Sequence, residues 1–475
     1  MELKNLSFQD TIKSLPDCWP IDLISLIRDE IALFDKKIFI MDDDPTGSQT
    51  VKDVAMLSDW SVDSLEKEFH CEELATFIQI NTRACNHSEV ERIVREVTSN
   101  ILEAKSRVSK DVEVIFRSDS TLRGHFPLEM DVFSETLKNI DGQDYDALIF
   151  IPFFIQGQRY TFNDIQYTLE GDKLIPVGDT PFADDPAFPY ESSNLKEWME
   201  EKYKGQIQSE NVISISIEDI RLGGPDKVQE ILKSLNNHSI CIVNAMDMKD
   251  LYVFTLGLLR AEKEGSNFLY RTAASFVKAR IGQSEYPFLT REEIINKDSG
   301  GALIIVGSHV PGSTQQLNKL IEFSDINPIE LNVQKILDNN KSQEEFITHE
   351  IDRLLNDSQD VVLYTSRNVV VGHSSEEYLQ IGTKITNTIV NIVKNISVKP
   401  SYILSKGGMT SASVTRKGLN IQRAIIPGQI LSGVLVMEMG CESKYPGSKL
   451  ILFPGNVGDP DAILNVFTKL NTKSY

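Results

Sequence analysis

The sequence has few cysteines, no long apolar run and a deficit of positive charge. Its five cysteines are odd in number and scattered over 475 residues, which favours reduced thiols in a cytoplasmic protein over a disulfide framework. No apolar stretch approaches the roughly 18 residues of a membrane-spanning helix, and the amino terminus shows no signal-peptide pattern. The net charge of -21 predicts no nucleic-acid partner and no membrane partner, because binding a polyanion requires a basic surface.

Several catalytic signatures are also missing. The chain has no Gly-x-x-x-x-Gly-Lys-Ser/Thr loop, which excludes an ordinary P-loop, and no Gly-x-Ser-x-Gly elbow, which weakens a serine hydrolase interpretation. His87, His125, His309 and His373 have no metal-ligand spacing among them. The sequence therefore assigns no metal ligands.

Segments typical of strands and helices alternate along the chain. A length of 475 residues exceeds an ordinary domain of about 100 to 200 residues, so more than one domain is expected. The alternation predicts an α/β fold with two domains, each built on a largely parallel sheet flanked by helices. A polar linker at 282–300 divides the chain into domains at 1–285 and 300–475.

Two local features refine this division. The Pro-rich and Gly-rich segment 156–189 predicts a long loop or hairpin beside a ligand. Ser88 and Glu91 predict a capping box at the start of a helix that carries Val90, Val94 and Val97 on its apolar face.

The octapeptide at 117–124, Arg-Ser-Asp-Ser-Thr-Leu-Arg-Gly, is the most informative segment. It follows an alternating, β-branched run, so its charged residues are predicted at a strand's carboxyl end, where open α/β sheets bind ligands. Guanidiniums recognise carboxylate or phosphate in a bidentate manner. The candidate residues of this segment for binding an oxygen-rich anion are Arg117, Asp119, Ser120, Thr121 and Arg123.

Two other predicted strands end in charged residues. Asp42, Asp43 and Asp44 follow one buried strand, and their mutual repulsion calls for a metal, arginines or a raised pKa. Arg83 follows the next strand, and Arg159 adds a further cation within 156–189. We expect these strand ends to form one crevice with the octapeptide.

Glycines cluster at strand ends in the second half of the chain. Glycine lets the backbone approach phosphate oxygens closely, so three such segments in one domain indicate a nucleotide site. The segments are Gly307-Ser308, Lys406-Gly407-Gly408-Met409-Thr410-Ser411 and Pro454-Gly455-Asn456-Val457-Gly458.

In combination, four motifs resemble the four-carbon acid sugar kinase family over residues 37 to 467. They are Asp43-Asp44-Pro45-Thr46-Gly47, Asp119-Ser120-Thr121-Leu122-Arg123-Gly124, Gly407-Gly408-Met409-Thr410-Ser411 and Gly455-Asn456-Val457-Gly458. The resemblance implies an amino-terminal domain for the sugar acid, a carboxy-terminal domain for ATP, and phosphorylation of a terminal hydroxyl of threonate, erythronate or 3-oxo-tetronate. Arg117, His125 and Met409 depart from the usual family pattern.

The resemblance also implies roles for individual residues. Sugar-acid contacts would come from Asp43, Asp44, Arg117, Asp119 and Arg123, and ATP contacts from Ser308, Gly407, Gly408, Met409, Thr410 and Gly455. Arg83, Ser120, Thr121 and Arg159 complete the predicted substrate site. The expected cofactors are ATP and Mg²⁺, and a homo-oligomer is compatible with these features.

The expected chemistry is phosphoryl transfer across an interdomain cleft. Arginines, Arg123 above all, would clamp the substrate carboxylate, and either Asp44 or Asp119 would accept the hydroxyl proton. One alternative is a haloacid-dehalogenase-like phosphatase with Asp42 as nucleophile and Asp44 as acid. Another is a non-catalytic protein that binds a nucleotide or metabolite on the same scaffold.

Overall fold

The computed structural model describes residues 6–34, 36–44, 50–295, 300–308, 310–338, 341–367, 375–455 and 457–471. The chain divides into two compact units. The N-terminal unit consists of Met1–Val51 and Asp59–Tyr286, and the C-terminal unit consists of Lys52–Ser58 and Pro287–Tyr475. Within those described ranges, no helix is long and apolar enough to cross a membrane.

The strands are numbered in chain order. They are β1 (Leu6–Ser7), β2 (Lys36–Asp42), β3 (Val54–Leu57), β4 (Ala75–Gln79), β5 (Asp111–Arg117), β6 (Ala147–Ile151), β7 (Arg159–Phe162), β8 (Ile165–Glu170), β9 (Lys173–Pro176), β10 (Ile213–Ile215), β11 (Ser239–Val243), β12 (Phe268–Thr272), β13 (Leu303–Val306), β14 (Asn327–Leu331), β15 (Val361–Thr365), β16 (Ile403–Lys406), β17 (Arg423–Leu431), β18 (Val434–Met439) and β19 (Lys449–Phe453).

The α-helices are numbered in the same way. They are α1 (Phe8–Ser14), α2 (Ile24–Leu33), α3 (Val62–Glu68), α4 (His87–Val108), α5 (Leu128–Asp141), α6 (Leu195–Lys202), α7 (Ile217–Arg221), α8 (Gly224–Ser234), α9 (Met248–Lys263), α10 (Ala274–Arg280), α11 (Arg291–Ile294), α12 (Pro311–Glu322), α13 (Val333–Leu337), α14 (Lys341–Asn356), α15 (Ser375–Asn395), α16 (Gly408–Ser413) and α17 (Ala462–Leu470).

The main sheet of the N-terminal unit is parallel throughout. Its strands lie in the order β10, β11, β6, β12, β5, β2, β4. Residues 37–42 of β2, which lies between β5 and β4, are all buried, as expected for a strand covered by helices on both faces of a parallel sheet. Fold class and largely parallel pairing are thus confirmed for this unit.

The segment 156–189 forms more structure than the predicted loop or hairpin. It contains β7, β8 and β9, and β8 pairs antiparallel with both β7 and β9. β1 pairs with β9 to complete a separate four-stranded sheet. Asn163 and Asp164, between β7 and β8, both have positive φ, as a tight two-residue hairpin requires.

The sheet of the C-terminal unit combines parallel and antiparallel strands. β14, β15, β13, β16 and β19 pair in parallel, and β18, β17 and β3 continue the sheet with antiparallel pairing. The sequence prediction missed the β17–β18 hairpin, which turns through Ser432 and Gly433. Gly433 has a φ of +75°, the conformation that glycine supplies in such turns.

The N-terminus of α4 lies two residues earlier than predicted. Asn86, and not Ser88, is the N-cap, and its side chain and that of Glu89 form the capping box. The prediction from Ser88 and Glu91 was wrong because Asn is as good an N-cap as Ser and here has the required spacing to Glu. The predicted apolar face of α4 is buried.

Candidate functional site

Strand register brings the predicted acidic and basic residues of the N-terminal unit to one edge of the sheet. Asp42, the last residue of β2, lies opposite Arg117, the last residue of β5. Arg117 in turn lies opposite Thr272 at the end of β12. Because these strands are parallel, their carboxyl ends share an edge, and the segments that follow them meet there.

Asp43, Asp44 and Arg83 form an ion-pair cluster at this edge. Arg83 Nη2 donates to Asp43 Oδ1 at 2.5 Å, and Arg83 Nη1 donates to Asp44 Oδ2 at 3.2 Å. The Asp43 carboxyl is 3% exposed, whereas that of Asp44 is 28% exposed. Burial raises the pKa of Asp43, although Arg83 opposes this effect.

Asp42 and Arg117 form a buried ion pair beside this cluster. Arg117 Nη1 donates to Asp42 Oδ1 at 3.2 Å and lies 3.7 Å from Asp43 Oδ1. Burial raises the pKa of Asp42 to about 7 and outweighs the attraction of Arg117. The buried Arg117 Nε has no hydrogen-bond partner within the part of the chain that the structure describes.

The octapeptide forms a loop around a second ion pair. Arg123 Nε donates to Asp119 Oδ2 at 2.8 Å, the Thr121 hydroxyl donates to the same carboxylate, and Arg123 Nη1 reaches Asp185 Oδ2 at 3.4 Å. Burial alone would raise the pKa of Asp119, but the Arg83 and Arg123 guanidiniums outweigh it and lower that pKa to about 2.

Side chains from the small sheet and the segment after it hold the octapeptide loop in place. Gln166 Nε2 donates to the Ser120 carbonyl at 2.9 Å, and the Tyr190 hydroxyl donates to the Thr121 carbonyl at 2.9 Å. Ser120 and Thr121 are buried, so their main-chain groups are fixed before any ligand binds.

Gly124 closes the octapeptide where the chain passes closest to the acidic residues. Its φ is +123°, and an added Cβ would lie 3.0 Å from Arg271 Nη2 and 3.3 Å from Asp43 Oδ2. Arg271 is buried and pairs with Glu129 at 2.8 Å. The sequence analysis missed Arg271 and Glu129, although the position of Arg271 near the end of β12 would have been a usable signal.

Arg159 begins β7 and reaches the octapeptide through an aromatic ring. Its guanidinium lies 5.3 Å from the centre of the Phe182 ring, and that of Arg123 lies 5.1 Å from the same centre. The structure thus brings together all the predicted site residues of the N-terminal unit. The motif residues at 45–47 lie outside the described residues.

Three aligned strand ends carry the glycine segments of the C-terminal unit. Val306 of β13 lies opposite Lys406 of β16, which lies opposite Phe453 of β19. Gly307, Gly407 and the loop at 454–458 follow these residues directly. Register therefore gathers the predicted glycines at one edge.

The glycines permit close backbone approach at this edge. A Cβ on Gly307 would lie 2.1 Å from Thr410 Oγ1, and one on Gly407, where φ is +112°, would lie 3.1 Å from Ser308 Cβ. A Cβ on Gly455 would lie 3.8 Å from Ser308 Oγ and 3.9 Å from Gly407 Cα. Gly307 and Gly407 therefore let these segments pack closely against each other. A Cβ on Gly455 would meet only ordinary contacts, so open space remains beside Ser308, Gly407 and Gly455, and this space is here called the cradle. Accessible backbone beside open space fits an oxygen-rich phosphate group.

The remaining residues of these motifs include Met409, Asn456 and Gly408. Met409 lies within α16, but its side chain is outside the described part of the structure, as are Asn456 and His309 altogether. Gly408 is exposed, and an added Cβ there would have no atom within 4 Å, so this backbone faces open space.

Two basic residues to which the sequence analysis gave no role stabilise the segments around the cradle. Lys406 Nζ donates to the carbonyls of Pro454 at 2.7 Å and Val457 at 3.1 Å, and burial lowers its pKa to about 8. Arg367 donates to the carbonyls of Ser308 at 2.8 Å and Thr365 at 2.7 Å. Lys406 stands within a quoted motif and Arg367 follows β15, so both carried a positional signal.

Potential metal ligands with suitable mutual spacing occur in the described ranges away from both strand-end sites. The one group of potential ligands found there with suitable spacing is Glu68, Cys71 and Glu73. These residues precede β4 and lie at the amino end of the sheet, where Glu68 accepts the Thr76 hydroxyl at 2.9 Å. Mg²⁺ at the strand-end sites would bind through phosphates and one or two carboxylates, its usual mode in phosphoryl-transfer enzymes.

Comparison with known families assigns both halves of the chain. The model of a sugar-binding N-terminal domain matches residues 38–280, and the model of a nucleotide-binding C-terminal domain matches residues 303–463. The chain belongs to the four-carbon acid sugar kinase family, whose architecture these two domains define. A search of curated proteins gave no significant match.

Solved structures share the fold at low sequence identity. Haemophilus influenzae protein HI1011, of the DUF1537 family, has a TM-score of 0.66 and 18% identity over 91% of this chain and 100% of its own. A Salmonella typhimurium LT2 protein proposed to be a tRNA synthase has a TM-score of 0.66 and 16% identity over 92% of this chain and 100% of its own. These similarities confirm the α/β fold.

We predict that Asp42 makes stability depend on pH. Its pKa rises from an ordinary 3.8 to about 7 in the folded state, so the folded chain holds this proton more tightly than the unfolded chain. Its contribution to folding is therefore greatest at low pH and declines as the pH rises from about 4 to about 7. The free energy of unfolding of the wild type should fall relative to that of Asp42→Asn as the pH rises across that range. Parallel curves for the two proteins would contradict the assignment.

We also predict that Gly455→Ala weakens nucleotide binding without unfolding the protein. The new methyl group would occupy the space between Ser308 and Gly407, and Gly455 does not have the positive φ that would strain alanine. Titration calorimetry with an ATP analogue should show a Kd raised roughly tenfold or more. Gly382→Ala, on α15 with open space around it, is the matched control, and equal Kd values for both variants would refute the cradle.

Proposed function

We propose that this protein is an ATP-dependent kinase that phosphorylates a hydroxyl of a small sugar acid of the four-carbon type. The observation that carries the proposal is the convergence of Asp43, Asp44, Arg83, Arg117 and Arg123 at the strand ends of the sugar-binding domain. A neutral sugar needs hydrogen bonds but not several guanidiniums, whereas a carboxylate is matched by them.

The nucleotide is assigned to the glycine cradle of the C-terminal unit. Ser308, Gly407, Thr410 and Gly455 offer main-chain and hydroxyl groups where bulkier residues would block a phosphate. Bound Mg²⁺ would neutralise charge on the transferred phosphoryl group. The residues of the cradle would orient the triphosphate, because positioning and charge stabilisation supply most of the catalysis in phosphoryl transfer.

Asp44 is the better of the two candidate bases. Asp119 already accepts from Arg123 and Thr121, and the lowering of its pKa to about 2 makes it a weak proton acceptor. The side chain of Asp44 is 28% exposed and that of Asp119 is 13% exposed. Asp44 is therefore the more accessible of the two to a substrate hydroxyl. Asp119 then serves to orient Arg123 and the octapeptide.

The alternative functions fit less well. A phosphatase would require Asp42 as an ionised, accessible nucleophile, yet Asp42 is buried, paired with Arg117 and has a pKa of about 7. A non-catalytic binding protein would have no proton-transfer role for Asp44, which is partly exposed beside Arg83. The function proposed for the Salmonella relative involves tRNA, which a net charge of -21 disfavours here.

The test is ADP formation with ATP, Mg²⁺ and a panel of sugar acids that includes threonate, erythronate and 3-oxo-tetronate. We expect acid-dependent ADP formation by the wild type, and Asp44→Asn should lower kcat by about 10²- to 10⁴-fold with little change in KM, because a general base acts in the transition state. Asp63→Asn, at an exposed surface position of the same unit, should behave as wild type.

Parallel assays separate the alternatives. Phosphate release from sugar phosphates that Asp42→Asn abolishes would establish the phosphatase instead. Thermal stabilisation by ATP or a sugar acid without any turnover would establish a binding protein. A smaller loss of kcat in Asp44→Asn than in Asp119→Asn would move the base to Asp119.

A further inference from the structure

A segment of the N-terminal unit, residues 180–190, covers the octapeptide loop and is here called the cover segment. Its aromatic and acidic side chains contact the loop or the adjacent His125, so it borders the proposed substrate site directly. The contacts are Phe182 on Arg123 at 5.1 Å, Asp185 on Arg123 at 3.4 Å, Phe188 on His125 at 4.9 Å between ring centres, and the Tyr190 hydroxyl on the Thr121 carbonyl at 2.9 Å.

The arginines at this edge differ in how their charge is balanced. Four of them form an ion pair with a carboxylate within the described residues: Arg83, Arg117, Arg123 and Arg271. Arg159 forms no such pair there. Its guanidinium donates to the carbonyl of Gly157, and its buried Nε has no hydrogen-bond partner among the described residues. A half-buried cation with a vacant buried donor is costly unless an anion joins it.

Phe182 ties this cation to the octapeptide. The guanidiniums of Arg159 and Arg123 both lie near its ring, at 5.3 Å and 5.1 Å from the ring centre, within the range of cation–π attraction. Burial lowers the pKa of Arg159; the charge of Asp119 opposes this effect, and the neighbouring charge of Arg123 adds to it. The carboxylates that contact Arg123, those of Asp119 and Asp185, form no ion pair with Arg159 within the described residues.

The backbone fixes Arg159 independently of the cover segment. Arg159 N donates to the Phe154 carbonyl at 2.9 Å and Phe154 N donates to the Arg159 carbonyl at 3.0 Å, which closes the turn between them. A Cβ on Gly157 in this turn would lie 2.4 Å from the Phe154 ring. The start of the Arg159 side chain is therefore held in one place.

We propose that Arg159 binds the carboxylate of the substrate, and that Phe182 is a positioning residue that holds Arg159 beside Arg123. This assignment rests on the proposed function and adds to it. Arg123, whose charge Asp119 and Asp185 already balance, orients the loop and is not the main carboxylate partner. The substrate class that follows is a hydroxy acid with a free carboxylate, and the polyol of equal length is rejected.

A cycle of two proteins and two ligands tests the pairing of Arg159 with the carboxylate. Wild type and Arg159→Gln are compared on a four-carbon sugar acid and on the four-carbon polyol, by kcat/KM and by calorimetric binding without nucleotide. We expect the wild type to favour the acid over the polyol, and Arg159→Gln to reduce that preference about 10- to 100-fold, the usual weight of hydrogen bonds to a charged group. Arg95→Gln, which removes an exposed guanidinium of the same unit, should keep the wild-type preference.

Phe182 variants test the positioning role. Phe182→Leu should raise KM for the acid several-fold and leave kcat near the wild-type value. Phe182→Tyr, which retains the ring, should keep the wild-type KM. Equal KM values for the Leu and Tyr variants would overturn the role of the ring.

The outcomes for the two proposals are distinct. An acid preference that survives in Arg159→Gln, with active wild type, overturns the assignment of Arg159 and leaves the kinase proposal in place. Acid binding that depends on Arg159 but never leads to ADP overturns the kinase proposal and supports the assignment. Wild type that neither binds nor uses any acid of the panel overturns both.

Discussion

The ion pair between Asp42 and Arg117 is the interaction on which the N-terminal site depends. It joins the last residues of β2 and β5, so the strand register that aligns the sheet also aligns the charges. A buried pair of this kind contributes little net stability, because desolvation offsets most of the attraction, but removing one partner leaves an uncompensated charge. The pair therefore marks the position at which the chain leaves β2 and β5. Asp43 and Asp44 follow Asp42 directly, and the rest of the octapeptide follows Arg117.

The C-terminal unit uses the same geometry with a different chemistry. Aligned ends of β13, β16 and β19 place glycines together, and Lys406 joins two of the three segments by donating to carbonyls of the 454–458 loop. One unit thus presents charged side chains and the other presents accessible backbone. The first suits a small organic acid and the second suits phosphate oxygens, which is the division of labour that the matched domain families describe.

Much of the fold was predictable because buried parallel strands are marked by apolar runs that end in polar or glycine-rich motifs. The positions of Asp43, Arg83, Arg123 and Gly407 after strand ends were predicted in this way, and their functional roles stay predictions. The β17–β18 hairpin was missed because helices were expected between the parallel strands. Phe182 and Asp185 could not be assigned from sequence, since they contact Arg123 from 59 and 62 positions away in the chain. Arg271 was missed although it lies near the end of β12, and its partner Glu129 is 142 positions away. The predicted position of the active site in an interdomain cleft stays a prediction.

The most direct test of the central claim is a crystal structure of the protein with a four-carbon sugar acid and a non-hydrolysable ATP analogue. The account predicts the acid at the carboxyl ends of β2 and β5, with its carboxylate within hydrogen-bond distance of Arg159, and the triphosphate against Gly407 and Gly455. An acid bound away from those strand ends, or a triphosphate that avoids the glycine segments, would contradict it.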